Sequence, residues 1–179
     1  MTTTDPAGPV RGSFATEQFR EVMSAVCTPV TVATATVGDM PHGTTVSAFA
    51  SLSLVPPMVT LALDRDSDLL RIALASGRVG INVLSHAQDD VALRFARKGA
   101  DKFAGVPWTL DDGLPRLRVA LGWLACDVDE AVEGGDHVVL LCGVRAAAAG
   151  AEAPLVYHRR RFGTHSGFVS AVPEGDRDA

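Results

Sequence analysis

The amino-acid sequence predicts a mainly β domain, an antiparallel barrel of about six or seven strands with three short helices at its periphery. β-Branched alternation carries the middle of the chain, as in Val30-Thr-Val-Ala-Thr-Ala-Thr-Val37. The helical stretches do not alternate regularly with strands, which disfavours a doubly wound parallel sheet. A length of 179 residues suits one domain, and no internal repeat marks a second.

In chain order, residues 1–13 and 171–179 are rich in Pro, Gly, Thr and charge and read as tails around a folded stretch of 14–170. Thr16 can cap a helix over 16–26, with Phe19, Val22, Met23 and Val26 along one face. Thr28-Pro29 ends it, because proline lacks a donor and restrains the residue before it. The strand over 30–37 turns at Gly38-Asp39, and 40–43 lead into a second strand reaching Ala50, as a hairpin with a slightly long loop. Pro56-Pro57 forces an extended passage into a third strand over 59–63. Asp64, Arg65, Asp66, Ser67 and Asp68 form a polar loop before a short helix that Gly77 closes. The start of that helix offers backbone N–H groups to a phosphate. Residues 79–84 read as a buried strand in which Asn82 needs a partner. A helix over 87–96 follows, then an irregular excursion over 98–113 anchored by Trp108. Strands over 121–128, 137–144 and 154–157 complete the barrel.

Composition removes several classes of function. A net charge of -5 and a pI near 5.4 give no electrostatic footprint for nucleic acid. The triplet Arg159-Arg160-Arg161 is too short for a polybasic membrane anchor, though it would suit a phosphate-sized anion. No apolar run approaches the ~20 residues of a membrane span, and the first residues carry no signal core. Cys27, Cys126 and Cys142 match no zinc or redox spacing and read as buried free thiols in a reducing compartment, so the chain reads as cytoplasmic.

The stretch Gly43-Thr-Thr-Val-Ser-Ala-Phe-Ala-Ser-Leu-Ser-Leu-Val-Pro-Pro57 stands out for chemistry. Thr44, Thr45, Ser47, Ser51 and Ser53 offer donors, while Gly43, Ala48 and Ala50 would let a flat, phosphorylated ligand approach the backbone. A Ser/Thr-rich edge strand has the same composition. No nucleophile elbow, P-loop, zinc motif or dinucleotide fingerprint is present, and no metal site is predicted. His42, His86 and His165 fall in predicted turns or tails and read as exposed loop residues. His137 differs: it follows Gly134-Gly135-Asp136 and starts an apolar strand, which holds it at the barrel rim.

Six motifs occur in one order: GTTVSAFASLSLVPP, LDRDS, VGINVL, RFARKGADKFAGVPW, EGGDHVVLLCGV and PLVYHRRRF. Together they resemble the short-chain flavin reductases, the NAD(P)H-dependent partners of two-component flavin monooxygenases. The resemblance covers roughly residues 19–162 and implies an antiparallel, Greek-key split barrel of the FMN-binding type, usually a homodimer.

The resemblance also implies roles for particular residues. Thr44, Thr45, Val46 and Ser47 lie along the isoalloxazine edge, with Ala48 beside them. Ser51, Leu52 and Ser53 face the ribityl chain and phosphate, and Asp64, Arg65, Asp66 and Ser67 help hold the phosphate end. Phe95, Lys102 and Phe103 close over the flavin. Gly135, Asp136 and His137 match the GDH signature, whose histidine is associated with the nicotinamide and is the candidate catalytic residue. Tyr157, His158 and Arg159 lie near the pyridine nucleotide. The cofactors implied are FMN or FAD with NADH or NADPH, and the partner is a separate monooxygenase component that receives reduced flavin. Two departures are visible: Ser47 stands where many members have asparagine, and Arg160 where glycine is common. A non-catalytic flavin-storage protein on the same barrel is the alternative. A pyridoxamine-phosphate-type oxidase would need a more basic phosphate site.

Overall fold

The structure is a computed structural model and describes residues 16–99, 101–118 and 120–165. The expected tails, 1–13 and 171–179, lie outside the described residues. The elements are α1 (Thr16–Ser24), β1 (Thr28–Pro29), β2 (Thr31–Val37), β3 (Met40–Val46), β4 (Phe49–Leu54), β5 (Pro57–Asp64), α2 (Asp68–Ser76), β6 (Arg78–Val83), α3 (Asp89–Ala96), β7 (Trp108–Asp111), β8 (Leu114–Leu117), β9 (Gly122–Gly134), β10 (His137–Ala149), β11 (Val156–His158) and β12 (Arg161–Gly163).

Seven strands form the main sheet in the order β3-β2-β6-β9-β10-β5-β4, every pair antiparallel. β1-β11-β12 and β7-β8 form two small sheets. The barrel is mainly β and antiparallel as expected, but its hydrogen-bonded ladder does not close. β3 and β4 are consecutive in the chain yet occupy the two outer edges of the sheet. The expected continuous strand up to Ala50 is interrupted at Ser47 and Ala48, where the chain leaves β2 and joins β5. That crossing splits the barrel.

Burial follows the period-two alternation of a strand covered on both faces. In β2, Ala33 and Ala35 enter a core shared with Leu61, Leu140 and the α2 residues Leu69, Leu70 and Ile72. Val30, ahead of the strand, and Val32 enter a second core with Leu84, Phe95 and Leu155. Asn82 is fully buried and has its partners: Nδ2 donates to Val32 O at 3.1 Å and Pro115 O at 3.4 Å, and its Oδ1 accepts from Leu117 N at 2.7 Å. One side chain thereby ties β8 to the main sheet.

Several local expectations are corrected. The Gly38-Asp39 hairpin is tight rather than long, because Met40 already pairs with Val37. The excursion after α3 contains the β7–β8 hairpin, turned by Asp112 and Gly113 at φ 49° and 73°, the left-handed pair of an Asp-Gly turn. β9 and β10 run well past their expected ends; each mostly exposed extension pairs with the buried first half of the other strand, and its own residues carry no apolar periodicity. α1 buries none of its residues, and Phe19 and Val22 stay 60% and 66% exposed. Gly43 also serves packing: a Cβ there would lie 2.8 Å from the Phe95 ring.

Cys27 is exposed, not buried, while Cys126 and Cys142 are buried and all three are free. Burial pushes the Cys126 and Cys142 thiols up to about 12. The thiolate is the nucleophile, so a maleimide should modify Cys27 alone in the native protein and all three cysteines after denaturation. Rapid native modification of two or three thiols would contradict this burial.

The β11–β12 turn is built from Arg159 and Arg160 at φ 47° and 64°, between the paired residues His158 and Arg161. Left-handed backbone disfavours a side chain with a Cβ by about 1 kcal/mol or more. Arg160→Gly is therefore expected to stabilise the fold by about 1 kcal/mol, read as a higher urea midpoint. An unchanged or lower midpoint would show that the arginine side chain offsets its backbone strain.

Candidate functional site

A cleft of about 1040 Å³ opens where the barrel is split. β3 lines it along its whole length, Ala62 to Asp64 of β5 and the first residues of α2 line it too, and the segment after α3 covers it. At the closed end of the seam, Ala62 N donates to Ala48 O at 2.9 Å. Pro41 in β3 is tolerated because β3 is an edge strand.

The edge matters chemically because its outward backbone groups have no strand partner. Gly43 O accepts from Lys102 Nζ at 3.1 Å, so the Gly43 peptide groups face outward. By antiparallel alternation those of Thr45 share that side. The Thr45 hydroxyl is committed, donating to Ala92 O at 2.6 Å and pinning α3 to β3. Thr44 and Ser47 line the cleft without using their hydroxyls on another described residue.

Lys102 also donates to Phe95 O at 3.0 Å, so one ammonium joins β3 to the end of α3. Burial pulls its pKa below the usual lysine range, while the Asp68 carboxylate opposes that shift. Phe95 is fully buried and sits beneath the cleft. Phe103 meets the Phe95 ring edge-on at 4.9 Å and the Trp108 ring at 5.5 Å, and Phe103 and Trp108 reach the cleft wall.

His137 begins β10 opposite Asp64 of β5 and lines the same cleft. Its Nδ1 lies 2.8 Å from Asp136 Oδ1, a contact that holds the Asp136 carboxyl below the usual aspartate range. The turn carrying it is stitched to the loop after β5. Arg65 N donates to Asp136 O at 3.0 Å, its guanidinium donates to Gly135 O at 2.7 Å, and it pairs with Glu133. Within that loop Asp66 N donates to Asp64 Oδ1 at 2.8 Å, and Ser67, which heads α2, makes no side-chain cap.

The structure thus brings Thr44, Thr45, Val46, Ser47, Ala48, Asp64, Asp66, Ser67, Lys102, Phe103 and His137 to one cleft. Arg65, Gly135 and Asp136 support its rim from behind. Ser51, Leu52 and Ser53 lie on β4, the opposite edge of the sheet, outside the cleft of a single chain. Tyr157 and His158 lie on β11 of the small β1-β11-β12 sheet and Arg159 in its β11–β12 turn; Tyr157 packs on the second core, and none of the three lines the cleft.

The family model of the flavin reductase-like domain matches residues 23–166. The chain belongs to the flavin reductase family. Among its relatives is the reductase subunit of a flavin-dependent monooxygenase from Mycobacterium tuberculosis, 37% identical over 157 residues, 87% of this chain and 82% of the relative. The reductase component of a 4-nitrophenol 4-monooxygenase from Rhodococcus opacus is 38% identical over 82% of this chain and 79% of its own. Of solved structures, the NADH:FAD oxidoreductase of Streptomyces globisporus superposes with a TM-score of 0.81 at 30% identity, covering 90% of this chain and 99% of that one.

Among the residues of this flavin reductase cleft that sequence reasoning missed are His42, Arg97, Lys98 and Trp108, the last as a wall rather than only an anchor. His42 is not in a turn; it pairs with Ala35 inside β3. Arg97 and Lys98 had a signal in the basic run that directly follows Phe95 and Ala96.

Proposed function

We propose that the chain is an NAD(P)H-dependent flavin reductase that passes a hydride from the nicotinamide to FMN or FAD and delivers reduced flavin to a separate monooxygenase component. The observation that carries this reading is one cleft lined by the free main-chain edge of β3 on one wall and His137 on another. Its size is that of a pocket for a large planar ligand, and its lining combines small residues, hydroxyls and an aromatic wall. When bound, the flavin supplies the redox chemistry and accepts the hydride.

The protein's part is positioning and electrostatics. Outward N–H groups of β3 near Thr45 and Ser47 favour negative charge on a ring laid along them. His137, held by Asp136, orients the nicotinamide. Hydroxyls and main-chain donors suit an affinity near ~1 μM, about 8 kcal/mol, enough to load and still release.

A homodimer completes the proposal. α1 leaves an uncovered apolar face, and the β4–β5 turn exposes Leu54 and Val55 at 84% and 91%, surfaces that a second copy would bury. Among the described residues no helix is long and apolar enough to cross a membrane, and a reducing cytoplasm suits three free thiols.

The test mixes the protein with NADH or NADPH and FMN or FAD and follows the nicotinamide absorbance. Flavin-dependent oxidation is expected with at least one pairing, and none with any pairing would sink the proposal. A flavin-storage protein would instead retain flavin through purification without turnover.

A further inference from the structure

The residue that fixes the turn before β10 is not itself part of the cleft wall. Arg65 directly follows Asp64, the β5 residue that pairs with His137. Asp64 and Asp66 line the cleft, and Arg65 does not. Among the described residues, its polar contacts beyond its own loop go to residues 133–136. Its N–H donates to Asp136 O at 3.0 Å and its guanidinium to Gly135 O at 2.7 Å. Gly134 pairs with His137, so Gly135 and Asp136 are the whole turn, and both of its carbonyls accept from one residue. The same guanidinium pairs with Glu133, which keeps it aimed at the turn.

Stability does not account for this arrangement. The Arg65 and Glu133 side chains are 49% and 67% exposed, and an ion pair so placed contributes little to folding. A continuous register from His137 with Asp64 to Gly143 with Met58 already joins β5 to β10. The turn is what needs holding. It follows Gly134 and contains Gly135 at φ 72°, and the Asp136 side chain is 93% exposed, with His137 Nδ1 as its partner. No packing directs that carboxylate, so the turn backbone decides where it points.

Resting on the flavin reductase reading, we infer that Arg65 is a positioning residue for hydride transfer. By fixing the two turn carbonyls it holds Asp136 against His137 Nδ1, which keeps the imidazole proton on Nδ1 and leaves Nε2 for the nicotinamide. Arg65 touches neither ligand and acts through His137, in contrast to the flavin-holding role that its motif implies.

The experiment compares wild type, R65Q, H137A and R65Q/H137A in steady-state turnover with NADH and NADPH. Fluorescence titrations with riboflavin, FMN and FAD and thermal melts accompany the kinetics. R65Q should lower kcat/KM for the nicotinamide about 5- to 10-fold, while flavin affinities stay within about twofold. Its melting temperature should stay within about 2 °C of wild type. In the H137A background the same change should cost less than about twofold, because the residue it acts through is gone. Nitrogen NMR of the His137 ring at about pH 8, where an ordinary imidazole is neutral, gives a readout independent of turnover. Wild type should show the Nδ1–H tautomer, and R65Q should move toward the mixture of an unrestrained imidazole. An unchanged tautomer in R65Q overturns the inference, as does an equal loss of turnover with and without His137. A lost preference for FMN over riboflavin in R65Q also overturns it, by giving Arg65 to the flavin. Wild type that oxidises no NAD(P)H would sink the reductase reading, while the tautomer comparison still decides whether Arg65 positions His137.

Discussion

Replacing His137 with alanine is expected to lower kcat/KM for the nicotinamide by about 10- to 100-fold, with flavin affinity changed by less than about threefold. The imidazole is fixed by two features. It starts β10 in register with Asp64, and its Nδ1 faces the Asp136 carboxylate at 2.8 Å. A carboxylate on Nδ1 favours the tautomer with its proton there and leaves Nε2 as the free nitrogen. Because that contact also holds Asp136 below the usual aspartate range, the partner stays ionised through neutral pH. Steady-state kinetics with each nicotinamide, beside a flavin titration, separate the two ligands. Equal losses for both would transfer His137 to the flavin.

Asn82→Leu is expected to cost about 3 kcal/mol and to lower the melting temperature by roughly 6–12 °C. Leucine keeps the branching and heavy-atom count of asparagine but is larger, so the cost is mainly polar with a smaller steric share. The Leu117 N–H loses its 2.7 Å acceptor, and Pro115 O and Val32 O each lose a donor, at a fully buried site. β8 is the strand that loosens, and with it β7, whose Trp108 forms a wall of the cleft. Flavin affinity should therefore fall alongside stability. A variant that melts within a degree or two of wild type would show that water or a backbone shift replaces the amide.

The strands that the sequence announces are those with one or two buried faces. The alternation in β2, the apolar run of β6 and the Asn82 that needed a partner are all legible because burial writes a period into the side chains. The outer halves of β9 and β10 are not, because their own side chains are mostly exposed and each is held by backbone bonds to the buried inner half of the other strand. The β7–β8 hairpin could have been read from Asp112-Gly113, whereas its counterpart at Arg159-Arg160 has no glycine to reveal it. In the cleft, the residues from Thr44 to Ala48 and His137 were legible by motif. Arg97 and Lys98 were visible only as a basic run, because lack of a partner is a property of three-dimensional neighbours.

The two strands that wall the cleft carry a thermodynamic consequence. β3 and β5, which face each other across the cleft, are separated in the sheet by β2, β6, β9 and β10. The cavity therefore exists only after pairings such as Val32 with Asn82 and Leu61 with Leu140 have formed across distant parts of the chain. No partly assembled sheet can present it. A ligand in the cleft stabilises the whole cooperative unit by mass action, about 2.7 kcal/mol at a hundredfold excess over Kd. On the proposed flavin-binding reading, cofactor supply is expected to act as a folding control, with chain made where flavin is scarce the most open to proteolysis.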